Sequence, residues 1–295
     1  MKASPADGVV LVDKPTGVTS HDVVAVARRA LGEKRIGHAG TLDPFATGLL
    51  VLLVGRATRL LPYIDGDPKV YEATIRFGRE TATEDLLGEV TTTAPPPSLD
   101  ALRGAIPRLT GELDQMPPAY SAKRVDGRRA YDIARAGEVP DLKPARVRVD
   151  GWELLAWREA SGEAPAELDV RITCGGGTYI RSLARDLGRL VGSAAHLSAL
   201  RRVRSGAFSV DRAVTLDALR DGSASLLPPI AALPHTPVEL LTAADVARVV
   251  RGIDVPATVV GDRAALVHEE SAALVALAER RGARWQPRVV MREAP

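Results

Sequence analysis

The stretch GHAGTLDPFATG, residues 37–48, runs without a break into LLVLLV, residues 49–54. The second part is wholly apolar and is bounded by Gly48 and Gly55, which reads as a short buried strand. The first part carries three glycines, a histidine, two threonines and an Asp-Pro pair. A loop this polar entering a buried strand sets its one carboxylate, Asp43, against the protein interior. Pro44 steers Asp43 away from helical geometry. Alone, an Asp-Pro pair simply starts a turn. The density of glycine and polar side chains around this one argues for chemistry.

Outward from that loop, the 295-residue chain suits one large domain plus a small one. At 45% hydrophobic and 26% charged it has an ordinary globular composition. No run approaches the about 18 apolar residues of a membrane span, and the start lacks a secretion signal. Cys174 is the only cysteine, so no intrachain disulfide forms, and a cytoplasmic location is expected. No His/Cys grouping has metal-ligand spacing, so neither a metal nor a cofactor is expected. Net charge is only +2, but residues 120–148 hold eight Lys/Arg against four Asp/Glu. Arg201, Arg202 and Arg204 add a second basic run. Local basic patches on a near-neutral protein fit a polyanion at one face, or a solvated surface.

GVVLVDKP reads as a strand ending in a Pro-Gly turn. A helix follows from Thr19 or Ser20, with Ser20 the expected cap and Val23, Val24, Ala27, Ala30 and Leu31 on one face. YEATIRF, residues 71–77, alternates as a strand. Residues 114–139 contain PP, DG and AG breaks and read as an irregular insertion with a short helix at 130–136. Residues 146–155 and 167–173 are predicted strands, and 178–191 a helix with Ile180, Leu183, Ala184, Leu187 and Leu190 on one face. LPPIAALPHTPV, residues 227–238, reads as a linker to a small module of short strands. This mix predicts an α+β fold.

Three further segments carry candidate chemistry. CGGGTYIRSLARDLG, residues 174–188, is strand, glycine turn and helix. It lacks the spacing of a phosphate-binding glycine loop. Its Arg181 falls in the first helical turn, where the macrodipole disfavours a cation, so an anionic partner is expected. KVYEA places Tyr71 on a strand, two residues after Lys69. DKPTGVTS, residues 13–20, contains a Lys-Pro turn. With the 37–48 loop these make four motifs.

In sequence and order they resemble, from residue 8 to about 219, the motifs of the TruB family of tRNA pseudouridine synthases. The resemblance implies a pseudouridine-synthase-like mixed or antiparallel sheet with a central catalytic cleft, over residues 1–230. It implies an RNA-binding thumb at about 114–145 and a small β-rich, PUA-like RNA-binding module at 238–295. It implies a catalytic set of Asp43, Tyr71 and Arg181, with Arg181 pairing with Asp43. Lys14, His38 and Tyr179 are then expected on the substrate side of the cleft, and Lys123, Arg124, Arg128 and Arg129 on RNA phosphates. The implied partner is the T arm of tRNA, with no membrane or protein partner and a monomeric state. The implied reaction turns uridine 55 into pseudouridine without a cofactor. Asp43 either attacks C1′ or removes the C2′ proton, and the sequence leaves both open. Also open are a synthase acting on another RNA, a tRNA-folding chaperone with accessory catalysis, and a base-excising glycosidase.

Overall fold

The computed structural model describes residues 7–291. Its first part holds β1 (Gly8–Lys14), α1 (Ser20–Leu31), β2 (Ile36–Ala39), β3 (Thr47–Val54), β4 (Lys69–Phe77), β5 (Arg79–Thr81), β6 (Val90–Thr93) and α2 (Leu99–Ala105). Then come β7 (Gly111–Gln115), β8 (Arg124–Val125), β9 (Arg128–Arg129), α3 (Ala130–Arg135), β10 (Ala145–Arg158), β11 (Glu167–Cys174), α4 (Ile180–Leu190) and β12 (Ala195–Ser205). The last part holds β13 (Phe208–Ser209), β14 (Val214–Thr215), α5 (Leu216–Arg220), β15 (Val238–Leu241), α6 (Ala243–Val249) and β16 (Val255–Pro256). It ends in β17 (Arg263–His268), β18 (Leu274–Arg281) and β19 (Arg284–Val290). The fold is mixed α+β.

The chain forms two compact units. Among the described residues, the first holds 7–43, Leu49–Gly66 and 207–291. In it β1 lies between β14 and β3, and β2 runs antiparallel along β3. Leu49, Val51 and Leu53 enter one apolar core with Val9 and Leu11. Leu50, Leu52 and Val54 on the opposite face are also buried. Burial on both faces explains why β3 reads as a continuous apolar run.

The C-terminal strands form a curled, PUA-like sheet in the order β15-β17-β18-β19-β16. Its Ala265, Val267, Leu277 and Val289 share the core of β1 and β3. The proline-rich stretch expected as a linker is packed as well. Leu227 exchanges backbone hydrogen bonds with Val9, and Ala232 and Leu233 are buried in the same core. Its prolines shape a short 3-10 turn at Pro229–Ala232 rather than a free tether.

The second unit comprises Pro44–Gly48 and Asp67–Gly206. Its sheet runs β12-β4-β11-β10-β7, antiparallel throughout. Thr47 and Gly48 add a parallel pairing to Arg201 and Arg202 of β12. Gly48 sits at φ 99°, and a Cβ there would lie 2.3 Å from the Arg202 carbonyl oxygen. Only glycine fits that approach. β4 buries Tyr71, Ala73, Ile75 and Phe77, as its alternation predicts. α4 is buried on more than its apolar face, because Arg181, Ser182 and Arg185 are buried too.

Candidate active site

In the first unit, Lys14 ends β1 and is fully buried. Its ammonium donates to the carbonyls of Pro15 at 2.9 Å and Val18 at 2.8 Å, closing the Lys-Pro turn. α1 then begins one residue earlier than a Ser20 cap requires. Thr19 is the cap, its hydroxyl accepting from the Asp22 amide at 3.1 Å while the Asp22 carboxylate accepts from the Thr19 amide at 2.8 Å. Thr-x-x-Asp supplies both halves of a capping box, a signal visible in the sequence. This frees Ser20 for a tertiary role. Its hydroxyl accepts from the Leu42 amide at 2.9 Å and donates to the Leu42 carbonyl at 3.2 Å. The residue before Asp43 is thereby tied to the start of α1. Asp43 itself is half-buried. His38 lies opposite Leu52 in the β2–β3 pairing, and its ring stands edge-on to His21 at 5.6 Å.

In the second unit, Tyr71 is 7% exposed, between Ile172 of β11 and Arg202 of β12. Arg181 is the second residue of α4 and is 3% exposed. Its guanidinium donates to the carbonyls of Thr83 at 2.9 Å and Tyr120 at 3.0 Å, and lies 4.0 Å from the Asp85 carboxylate. Asp85 is thus an acidic neighbour of this buried first-turn cation. One turn later, Arg185 pairs with Glu84 and donates to the Met116 carbonyl at 2.9 Å. Ser182 Oγ lies 3.1 Å from Glu84 and 2.9 Å from the same carbonyl. Burial pushes the Glu84 carboxyl above the usual range, against the pull of Arg185. Glu84 also takes a left-handed φ of 60°, a conformation that persists only where its surroundings enforce it.

The turn between β11 and α4 is held at both ends. The Gly176 amide donates to Asp67 at 3.0 Å, and Lys69 pairs with the same carboxylate at 2.9 Å. Burial works to raise the Asp67 carboxyl, but these hydrogen bonds outweigh it and hold it below the usual range. Gln115 accepts from the Tyr179 amide at 2.8 Å and donates to its carbonyl at 3.0 Å. Cys174 ends β11 fully buried, and burial pushes its thiol up to about 11.

The expected thumb contains a β8–β9 hairpin turning at Asp126 and Gly127, both with positive φ. This is the Asp-Gly signature of a tight hairpin. Arg124 sits directly opposite Arg129, and both are exposed. Like charges in that register destabilise a sheet. Lys123 donates to the Lys143 carbonyl, Arg128 pairs with Glu138 at 3.3 Å, and Arg129 donates to the Tyr131 hydroxyl at 2.6 Å.

Of the residues singled out in the sequence, Lys14, His38 and Asp43 belong to the first unit. Tyr71, Tyr179, Arg181 and the thumb cations belong to the second. Thr83, Glu84, Asp85, Gln115 and Arg185 escaped the sequence reading. The polar TATEDLLG turn, residues 81–88, was the only trace of the first three. Among the described residues, no group of three or more His, Cys, Asp or Glu side chains converges as metal ligands would. No helix among them is long and apolar enough to cross a membrane.

Residues 28–180 match the TruB family pseudouridylate synthase N-terminal domain, and residues 181–226 match the tRNA pseudouridylate synthase B C-terminal domain. The chain belongs to the TruB family. It is 47% identical to tRNA pseudouridine synthase B of Thermobifida fusca (strain YX) over 290 residues, 97% of this chain and 98% of that one. It is 43% identical to the synthase of the same name from Mycobacterium tuberculosis (strain ATCC 25618 / H37Rv), covering 97% and 96%. Among solved structures it resembles the archaeal box H/ACA sRNP Nop10-Cbf5 complex. The TM-score is 0.68 at 27% identity, over 97% of this chain and 86% of that one. TruB membership makes the chain an isomerase that converts uridine to pseudouridine in RNA.

Proposed function

We propose that the uridine isomerised is position 55 in the T arm of tRNA, and that Asp43, Tyr71 and Arg181 form the catalytic set. The observation that carries this reading is the near full-length match to a tRNA pseudouridine synthase B. The reaction breaks N1–C1′, turns the base and joins C5 to C1′. The C5 proton leaves and N1 gains one, so atoms and electrons balance without a redox partner, and the proposal needs no cofactor. Asp43 supplies a carboxylate beside the sugar, either attacking C1′ or taking the C2′ proton. A guanidinium nearby keeps such an acid ionised and aimed, the role proposed for Arg181. Tyr71 stacks on the flipped base, and it or a water receives the C5 proton.

Unstacking the target costs a few kcal/mol. Phosphate contacts from Lys123, Arg124, Arg128 and Arg129 offset that cost. The opposed Arg124 and Arg129 support this assignment, since a bound phosphate relieves their repulsion. The reading divides the chain into a catalytic domain over 1–230 and an RNA-binding module over 238–295. It also makes the protein a cytoplasmic monomer.

The test is tritium release from C5-labelled uridine in a tRNA transcript. Asp43→Asn should abolish release while leaving tRNA affinity within a few-fold. Activity above about a tenth of wild type, a loss under about 1.4 kcal/mol, removes Asp43 from its role. Release from a transcript lacking uridine at position 55 refutes the site assignment.

A further inference from the structure

Several arginines on the antiparallel sheet of the second unit come with carboxylates. Arg76 pairs with Glu167, Arg158 with Glu167 and Asp169, and Arg171 with Glu72 and Glu153. Arg146 and Arg148 do the same with Glu112, Asp114 and Asp150. The corner between α1 and β2 is built differently. Arg28, Arg29, Lys34 and Arg35 are all exposed there. The one acid among them, Glu33, is buried. It accepts from the Arg35 amide at 2.7 Å and faces the Arg35 guanidinium at 3.6 Å. These contacts, the amide bond foremost, hold its carboxyl below the usual range. Among the described residues, no carboxylate pairs with Arg28, Arg29 or Lys34.

The dipole of α1 accounts for two of these charges, since Arg28 and Arg29 sit in its last turn. It does not account for Lys34 and Arg35, which follow the left-handed Gly32 that ends the helix. The corner is also tied to the strand that leads into the candidate site loop. The Arg28 guanidinium donates to the Ile36 carbonyl at 3.2 Å, at the start of β2. From Arg35 to His38 is three steps of extended chain, about 10 Å, which keeps the corner within a nucleotide or two of an RNA strand at His38.

We infer that the α1–β2 corner is a second RNA-backbone contact, in which Arg29 and Lys34 hold phosphates next to the target uridine. This inference rests on the T-arm reading above. Arg28 and Arg35 serve the corner's own structure and are left intact in its test.

The experiment compares wild type with Arg29→Gln/Lys34→Gln. Binding is measured to an unmodified tRNA transcript and to its isolated T-arm hairpin, across about 50–200 mM salt. With both RNAs, the log–log salt slope of the variant should fall by about 1.4–1.8, or 0.7–0.9 per contact. The rate at saturating RNA should stay at the wild-type value, and the melting temperature should fall by no more than about 2–4 °C, the effect of losing one last-turn cation of α1. An unchanged slope, with wild type binding both RNAs, overturns the inference alone. A fall confined to the full-length transcript overturns the placement beside the target. Wild-type protein that binds neither RNA overturns the T-arm reading and this inference with it.

Discussion

Helix α1 opens on a hydroxyl and a carboxylate that close on its own backbone, whereas α4 opens with no side-chain cap and a buried arginine in its first turn. The first start uses local chemistry. Thr19 and Asp22 satisfy amides that any helix leaves open. The second start works against local chemistry, because a cation at a helix N-terminus meets the positive end of the dipole. Thr83, Asp85 and Tyr120 are brought to Arg181 from elsewhere in the second unit and help to hold it. A terminus built for stability can be self-contained. A terminus that carries a buried charge must recruit its partners, and the recruited loops then share its fate.

The sharpest way to break this comparison is Arg181→Met. If the cation is there for chemistry, turnover at saturating RNA should fall about 100- to 1,000-fold, as when an electrostatic donor is removed from an active site. RNA affinity should change far less. Arg181→Lys should not restore the rate, since a lysine cannot span two carbonyls with a planar fork. Equal losses in rate and affinity would make Arg181 a structural arginine, and the two helix starts would differ in style alone.

Arg185 sharpens the same contrast through stability. Arg185→Met leaves Glu84 buried without its cation, which should cost about 3–5 kcal/mol in urea unfolding. Adding Glu84→Gln should recover a good part of that loss, because the double variant buries no unpaired charge. A double variant less stable than the single one would show that the pair contributes more than mutual neutralisation.

The smallest effect belongs to α1. Thr19→Ala should cost about 1 kcal/mol of stability and leave turnover unchanged. Hydrogen bonds from the Thr19 hydroxyl and amide hold the Asp22 carboxyl below the usual range. The carboxylate half of the box is therefore fully present above about pH 4 and is lost as pH falls through the lowered value. The wild-type advantage in thermal melts should shrink below that window. An advantage that persists well into acid would mean the hydroxyl alone caps the helix.

The elements that speak through their own residues were legible in the sequence. β3 is an unbroken apolar run, β4 alternates, and α4 shows its apolar face at helical spacing. The motifs around Asp43, Tyr71 and Arg181 were legible as resemblance. What stayed hidden was the company each side chain keeps. Arg181 is held by residues 98 and 61 positions away, and periodicity reports faces, not distant partners. Ser20 was misplaced for a related reason. Serine is a good cap in isolation, but here the neighbouring Thr19 has Asp22 at the right spacing, and the Ser20 hydroxyl goes to Leu42. The polar face of α4 was hidden too, since arginine and serine read as solvent-facing until a second polar layer covers them.

The solitary thiol of Cys174 has a practical consequence. It lies at the end of β11, immediately before the glycine turn that leads to Tyr179 and Arg181, and burial keeps it protonated at neutral pH. Since the thiolate is the reactive species, an alkylating reagent meets almost none while that turn is closed. The rate of alkylation then clocks how often the β11–α4 junction opens, from one position in the whole chain. Nothing need be engineered for this readout, and RNA that braces the junction should slow the clock.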